Sequence, residues 1–217
     1  MPASRPILFS AELVRAILGG SKTVTRRVVL PTTAPRLPPE HMEPWMDGPE
    51  QVEHDDGRRV WTGTHPEYPT PHGKWFTCPY GGAGDRLYVR EAFRLELGDD
   101  ALSPSEAIAQ ADRAGLNLQV NYEADGRSRT ADYTVPGRLR PSIHMPARLS
   151  RITLEVTEVS VERVQDTTRA EAVAEGVPDD ASALFTFSEL WDGINAGRGF
   201  GWATNPWVWR VAFTRVA

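Results

Sequence analysis

The segment Gly19-Gly20-Ser21-Lys22-Thr23-Val24-Thr25-Arg26-Arg27 holds a base, hydroxyl nucleophiles and fixed cations within nine residues. The chain has 24 basic residues, yet Lys22 and Lys74 are its only lysines. Arginine keeps its proton in proteins, whereas lysine loses it when burial or neighbouring cations weaken its hold. Lys22 is therefore a candidate base, Thr23 and Thr25 are candidate nucleophiles, and Arg26 and Arg27 can face an anion or oxyanion. The competing reading is a basic turn after a helix, in which composition alone sets one lysine.

Other groups carry weaker signals. His65, His72 and Cys78 are neighbours in sequence, but no pair has the spacing of a structural zinc site, and His41 and His54 stand alone. Neither a metal nor a cofactor is expected. Cys78 reads as a buried inert thiol, because no histidine lies in a recognisable partner motif. Gly81-Gly82-Ala83-Gly84-Asp85 lacks the Lys-Ser/Thr of a phosphate loop and leads into a strand, so it reads as a turn. Trp207, Trp209 and Phe213 share one side of a strand; they are either core or, at the Trp207 end, a platform for stacking a base. Glu175 ends a short helix just before Gly176, an ordinary place for an exposed glutamate.

The elements that position these groups follow from periodicity. Ile7 to Phe9 predicts a strand. Ser10 caps a helix from Ala11, with Leu13, Val14, Ile17 and Leu18 on one face and Gly19-Gly20 as its stop. Lys22 follows that helix C-terminus, whose field favours the charged ammonium. A strand spans Thr25 to Leu30. From Pro31 to Pro79 the chain is rich in Pro, Gly, His and charge, with Trp45, Trp61, Trp75 and Phe76 as sparse anchors, and predicts an irregular excursion with one hairpin. Strands are expected at Arg86 to Glu91, Leu118 to Tyr122, Thr130 to Val135 and Trp207 to Phe213, and a helix over Pro104 to Ala114 capped by Ser103. The longest β signal runs from Arg151 to Val164, with a bend where its parity changes between Val156 and Val159. Helices follow from Thr168 to Glu175 and from Ser182 to Ile194.

Composition bounds the function. The chain has 217 residues, 40% of them hydrophobic, with no run of the ~18 apolar residues a membrane span needs. There is no basic region followed by a long apolar run at the N-terminus, so no secretory signal is expected. One cysteine allows no intrachain disulfide and fits a cytoplasmic setting. A formal net charge of -5 argues against long duplex DNA as a partner, while leaving room for a local basic cleft.

These motifs resemble a known family. A helix, then Gly20-x-Lys22-x-x-Thr25-x-Arg27, then the Gly84-Asp85 turn into a strand, resembles the ASCH domain. Val164-Gln165-Asp166 leading to Ala174-Glu175-Gly176 is similar to its strand-to-helix segment. Trp191-Asp192-x-Ile194-Asn195 and Asn205-Pro206-Trp207-Val208-Trp209 resemble a longer ASCH group common in phage and prophage genomes. The resemblance covers most of the chain. It implies a single α+β domain over 1–217, a PUA-like small β-barrel with peripheral helices and two long insertions, at 31–79 and 95–139. It also implies a partner that is RNA or a modified nucleoside.

Small bacterial ASCH proteins include amidohydrolases that remove the acetyl group of N4-acetylcytidine, using a Lys, a Thr three residues later and a distant Glu. By motif these roles fall on Lys22, Thr25 and Glu175, with Arg26, Arg27 and Trp207 as substrate contacts. Thr25 would attack the amide carbonyl, Lys22 would take and return its proton, Glu175 would orient the lysine or shuttle the proton, and Arg27 or a backbone N–H would face the oxyanion. Glu175 near Lys22 works against this by favouring the charged lysine. Two alternatives stay open: a non-catalytic module binding RNA or a modified base, and a ribonuclease using the same cations. Oligomeric state is not legible in the sequence.

Overall fold

The computed structural model describes residues 4–29, 50–53, 59–62, 77–126 and 135–217, with 50–53 and 59–62 as backbone alone. The chain divides into two compact units. The described parts of Met1–Ser21, Arg86–Glu155 and Arg215–Ala217 form one; those of Lys22–Asp85 and Val156–Thr214 form the other.

In the first unit, β1 (Ser4–Leu8) runs parallel to β5 (Arg86–Arg90), with Ile7 opposite Val89. The start of β8 (Thr153–Arg163) pairs antiparallel with β5, Leu87 opposite Leu154. Helix α1 (Ala11–Leu18) is capped by the Ser10 hydroxyl, buries Val14 and Ile17, and ends at Gly19. Gly20 then turns the chain at φ +80°, a left-handed conformation that favours glycine. Helix α2 (Pro104–Ala114) has a reciprocal capping box between Ser103 and Glu106. Its Ala107 packs with Phe93, Leu95, Met145 and Leu149. The expected strand at Leu118 to Tyr122 shrinks to β7 (Asn121–Tyr122), paired with β6 (Phe93–Arg94). Leu118 and Val120 are spent on packing against that core.

In the second unit, β2 (Val24–Val28) pairs antiparallel with β9 (Trp207–Arg215), placing Thr25 opposite Val211, Arg26 opposite Arg210 and Arg27 opposite Trp209. The excursion contains the expected hairpin, β3 (Glu50–Glu53) with β4 (Arg59–Thr62). Residues 81–85 form a turn, in which Asp85 N–H reaches the Gly82 carbonyl and the Asp85 carboxylate accepts from Gly82 N–H. Helix α3 (Arg169–Ala174) and helix α4 (Ala183–Asn195) pack Ala172, Ala183, Phe187 and Trp191 on Val164 and Val208. The alternation of β8 breaks at Thr157 and Glu158, which are both exposed, where the parity change was expected. Trp45, Trp75, Phe76, residues 130–134 and the four histidines at 41, 54, 65 and 72 lie outside the described residues.

The architecture is α+β, built on a five-stranded mixed sheet in the order β1-β5-β8-β9-β2. Among the described strands this sheet is open, not the closed barrel expected. Its outer strands β1 and β2 each bond a neighbour on one side, and β1–β5 is the parallel pair in it whose register is defined. No helix among the described residues is long and apolar enough to cross a membrane.

The short helix α3 depends on its cap. The Thr168 hydroxyl accepts from Glu171 N–H while the Glu171 carboxylate accepts from Thr168 N–H. Thr168→Ala is expected to cost about 1 kcal/mol in urea denaturation. An unchanged midpoint would mean that packing alone holds α3.

Candidate functional site

Lys22 lies at the entry to β2, and Glu175 lies at the end of α3. The two chains are stitched by their backbones first: Thr23 N–H donates to the Ala174 carbonyl at 2.9 Å. That carbonyl is one of the groups a helix C-terminus leaves without an internal partner. Gly176, at φ +98°, then takes the chain away in a left-handed turn. The result is that the Lys22 ammonium reaches three acceptors: Glu175 Oε2 at 2.6 Å, the Glu175 carbonyl at 2.7 Å and the Val24 carbonyl at 2.9 Å. The Lys22 side chain has 0% exposure and that of Glu175 has 7%.

The Lys22 ammonium thus bonds the Glu175 carbonyl at the C-terminal end of α3. Three acceptors match the three protons of a charged ammonium. Burial nevertheless drives the Lys22 pKa below its ordinary 10.5; the charge and hydrogen bond of Glu175 pull it back up, and Arg27 and Arg26 push it down further.

Strand alternation sorts the remaining residues. Arg26 and Val28 project toward α3 and α4, where Val28 packs on the core and the Arg26 guanidinium lies 6.0 Å from the Phe187 ring. Thr25 and Arg27 therefore project from the opposite face of β2, with Trp209 and Val211 as their cross-strand neighbours. Thr25 is buried, and the described hydrogen bonds of Lys22 Nζ go to Glu175 and Val24. Arg27 is half-buried, and its charge acts on both Lys22 and Tyr80, whose phenol is pushed up by burial against the pull of that arginine.

Arg26, expected beside Arg27 at a substrate, has a side chain with 0% exposure. Its Nε donates to Glu162 at 2.7 Å, its Nη2 lies 3.2 Å from Glu171 and its Nη1 lies 3.5 Å from Glu175 Oε1. Glu171 also accepts from Arg210 Nε at 2.9 Å, and Arg210 Nη1 donates to Glu158. Arg26 and Arg210 are directly opposite across β2 and β9, an arrangement of like charges that is unfavourable by itself. Glu171 carries the opposite charge to both, accepting a hydrogen bond from Arg210 and lying within ion-pair distance of Arg26. Burial raises the Glu171 carboxyl, but Thr168 N–H, Arg26 and Arg210 outweigh it and hold the group below the usual range. Burial instead wins at Glu162, which is raised despite Arg26.

Sequence reasoning missed Glu158, Glu162, Glu171 and Arg210. Only Glu171 had a local signal, as the last residue of Thr168-x-x-Glu171, and that pattern speaks for a cap rather than an ion pair. Trp209 and Phe213 are core residues. Trp207 is partly exposed, with the Arg163 guanidinium 4.3 Å from its ring centroid, and its indole N–H is buried without a hydrogen-bond partner among the described residues. Cys78 is half-buried. Among the described residues no group of three or more His, Cys, Asp and Glu side chains is placed to hold a metal ion.

No protein-family model, curated protein or solved structure matches the chain.

Lys22→Met leaves the Glu175 carboxylate buried without its closest cation and is expected to destabilise by about 3–5 kcal/mol. The double variant Lys22→Met/Glu175→Leu should recover much of that loss, and additive losses would show that the pair is not coupled. The pH dependence has a defined sign. The folded protein holds the Lys22 proton less tightly than the unfolded chain. From the lowered value up to 10.5 the unfolded state therefore binds more protons, and the lysine's contribution to stability rises with pH. Melting curves should show this alkaline rise in the wild-type protein and lose it in Lys22→Met.

Proposed function

We propose that this chain is an amidohydrolase of the ASCH type, cleaving the acyl amide of an N4-acylated cytidine-type nucleoside or base. The reading takes the five-stranded sheet as an opened relative of the PUA-like barrel, and a cytoplasmic nucleoside pool as the source of substrate. The observation that carries it is the buried 2.6 Å contact of Lys22 Nζ with Glu175 Oε2. These are the two residues that the family motif assigns to proton transfer, and they lie 153 positions apart in the chain.

The chemistry runs as two acyl transfers. Lys22 passes a proton to Glu175 along their hydrogen bond, and burial favours this exchange of two charges for none. The neutral lysine then gives up the Val24 carbonyl and turns to the Thr25 hydroxyl. Thr25 Oγ1 attacks the acyl carbon as its proton moves to Lys22 Nζ. The C–N bond breaks, Lys22 returns that proton to the leaving amine, and an ester remains on Thr25. Water hydrolyses the ester, releasing the carboxylic acid and restoring the hydroxyl. Arg27 shares the face of β2 that carries Thr25, which suits it to the oxyanion. Trp207 lies on the same face of β9 as Trp209 and Val211, which suits it to the base.

The alternative is a non-catalytic module that binds RNA or a modified base. It is favoured by the three acceptors that hold Lys22 as an ammonium.

Incubation with N4-acetylcytidine, followed by chromatography for cytidine, separates the two. Hydrolysis is expected in the wild-type protein, with kcat lower by about 10²–10⁴-fold in Lys22→Ala and Glu175→Ala and no turnover in Thr25→Ala. Full activity in Thr25→Ala would remove the threonine as nucleophile. Salt-dependent binding of single-stranded RNA without turnover, weakened by Arg27→Ala, would establish the binding module instead. In the enzyme the rate should climb with pH through the lowered Lys22 value, since the neutral lysine is the base.

A further inference from the structure

We propose that Arg26 is the positioning residue of the Lys22–Glu175 pair. Buried among Glu162, Glu171 and Glu175, it holds the Glu175 carboxylate with one oxygen on Lys22 and adds its positive charge to the surroundings of that lysine. This inference rests on the amidohydrolase reading for its kinetic consequence, and on geometry alone for its electrostatic one.

The geometry separates Arg26 from a substrate contact. Its side chain has no exposure, and each of its three guanidinium nitrogens faces a different glutamate, on β8 (Glu162), within α3 (Glu171) and at the end of α3 (Glu175). A flat guanidinium fixes direction as well as charge: Arg26 hydrogen-bonds Glu162 through Nε and Glu175 through Nη1, at a long 3.5 Å, while Glu171 lies beside Nη2 as an ion-pair partner. Glu175 consequently presents Oε1 to Arg26 and Oε2 to Lys22. The Phe187 ring lies beside the guanidinium, 6.0 Å from it. No part of this arrangement uses the face of β2 on which Thr25 and Arg27 lie.

Among the described residues, the charges acting on Lys22 include Glu175 at the end of α3, and Arg26 and Arg27 from β2. Those around Arg26 are Glu162, Glu171 and Glu175, with Arg210 opposite on β9 and Glu158 bound to Arg210. Arg26 thus stands next to both members of the proton-transfer pair. Its positive charge weakens the hold of Lys22 on its proton, while Glu162, on the far side and with 20% of its side chain exposed, offsets that charge.

Only two lysines exist in the chain, so the titration of Lys22 is directly readable. Protein labelled with ¹³C-lysine gives two side-chain signals, and Lys74→Arg assigns them. Arg26→Gln is expected to move the Lys22 titration to higher pH, and Arg26→Lys, which keeps the charge, to leave it near the wild-type position. Glu162→Gln, which does not touch Lys22, should move it to lower pH and serves as the second arm where Arg26→Gln fails to fold. With N4-acetylcytidine as substrate, Arg26→Gln should lower kcat about 10- to 100-fold with KM little changed. A Lys22 titration unmoved by both neutral variants, or a rise in KM with kcat intact, overturns the positioning role. Absence of hydrolysis in the wild-type protein overturns the amidohydrolase reading alone, because the lysine titration still decides what Arg26 does.

Discussion

A guanidinium withdrawn from solvent keeps its charge, so the surrounding structure must supply carboxylates where water would have been. Arg26 imposes that demand on the second unit of this protein. Glu162 answers it from the long strand β8, while Glu171 and Glu175 answer it from α3 and its end. Meeting the demand fixes where a six-residue helix lies against β2, and a helix this short has little intrinsic stability to fix its own place. The cap at Thr168, the apolar contacts of Ala172 and the guanidinium together hold it.

The position of Lys22 follows from that placement. Once α3 lies beside β2, its last carbonyls meet Thr23 N–H and the Lys22 ammonium, which satisfy groups that would otherwise be stranded. The same contact brings Glu175 to the lysine. Opposing influences on one proton therefore meet at this pair of residues. Every acceptor around Lys22 favours the ammonium, whereas burial and the two adjacent arginines favour its loss of a proton. Buried acid–base pairs are poised by such opposition, because a modest change in the surroundings shifts the balance.

Thr25 shows where motif and geometry part. In sequence it is three residues from Lys22, which on a helix would put both on one side; here Thr25 belongs to a strand, where neighbours alternate. Its partners are consequently those of the other face, Val211 across the ladder and Arg27 along it. Thr25 and Arg27 share that face with Trp209 and Val211 of β9.

Much of the framework was legible in local patterns. The capping boxes at Ser103 and Thr168, the amphipathic α1, the alternation of β5 and β9 and the parity break of β8 are all short-range features, and short-range sterics and burial set them. The proximity of Lys22 to Glu175 was legible only through resemblance to a family motif, since nothing local links them. Strand closure was not legible, because pairing depends on which edges meet, and the sheet is open among the described strands. The sequence by itself determined the reactive residue types, the helix and strand periods and the absence of a metal-ligand spacing, for these depend on neighbours along the chain. The tertiary structure alone decided that Arg26 is buried among Glu162, Glu171 and Glu175, that α3 supplies the helix end felt by Lys22, and that Thr25 lies on the opposite face of β2 from that network. Charges far apart in sequence acquire their partners only when packing brings strands and a short helix together.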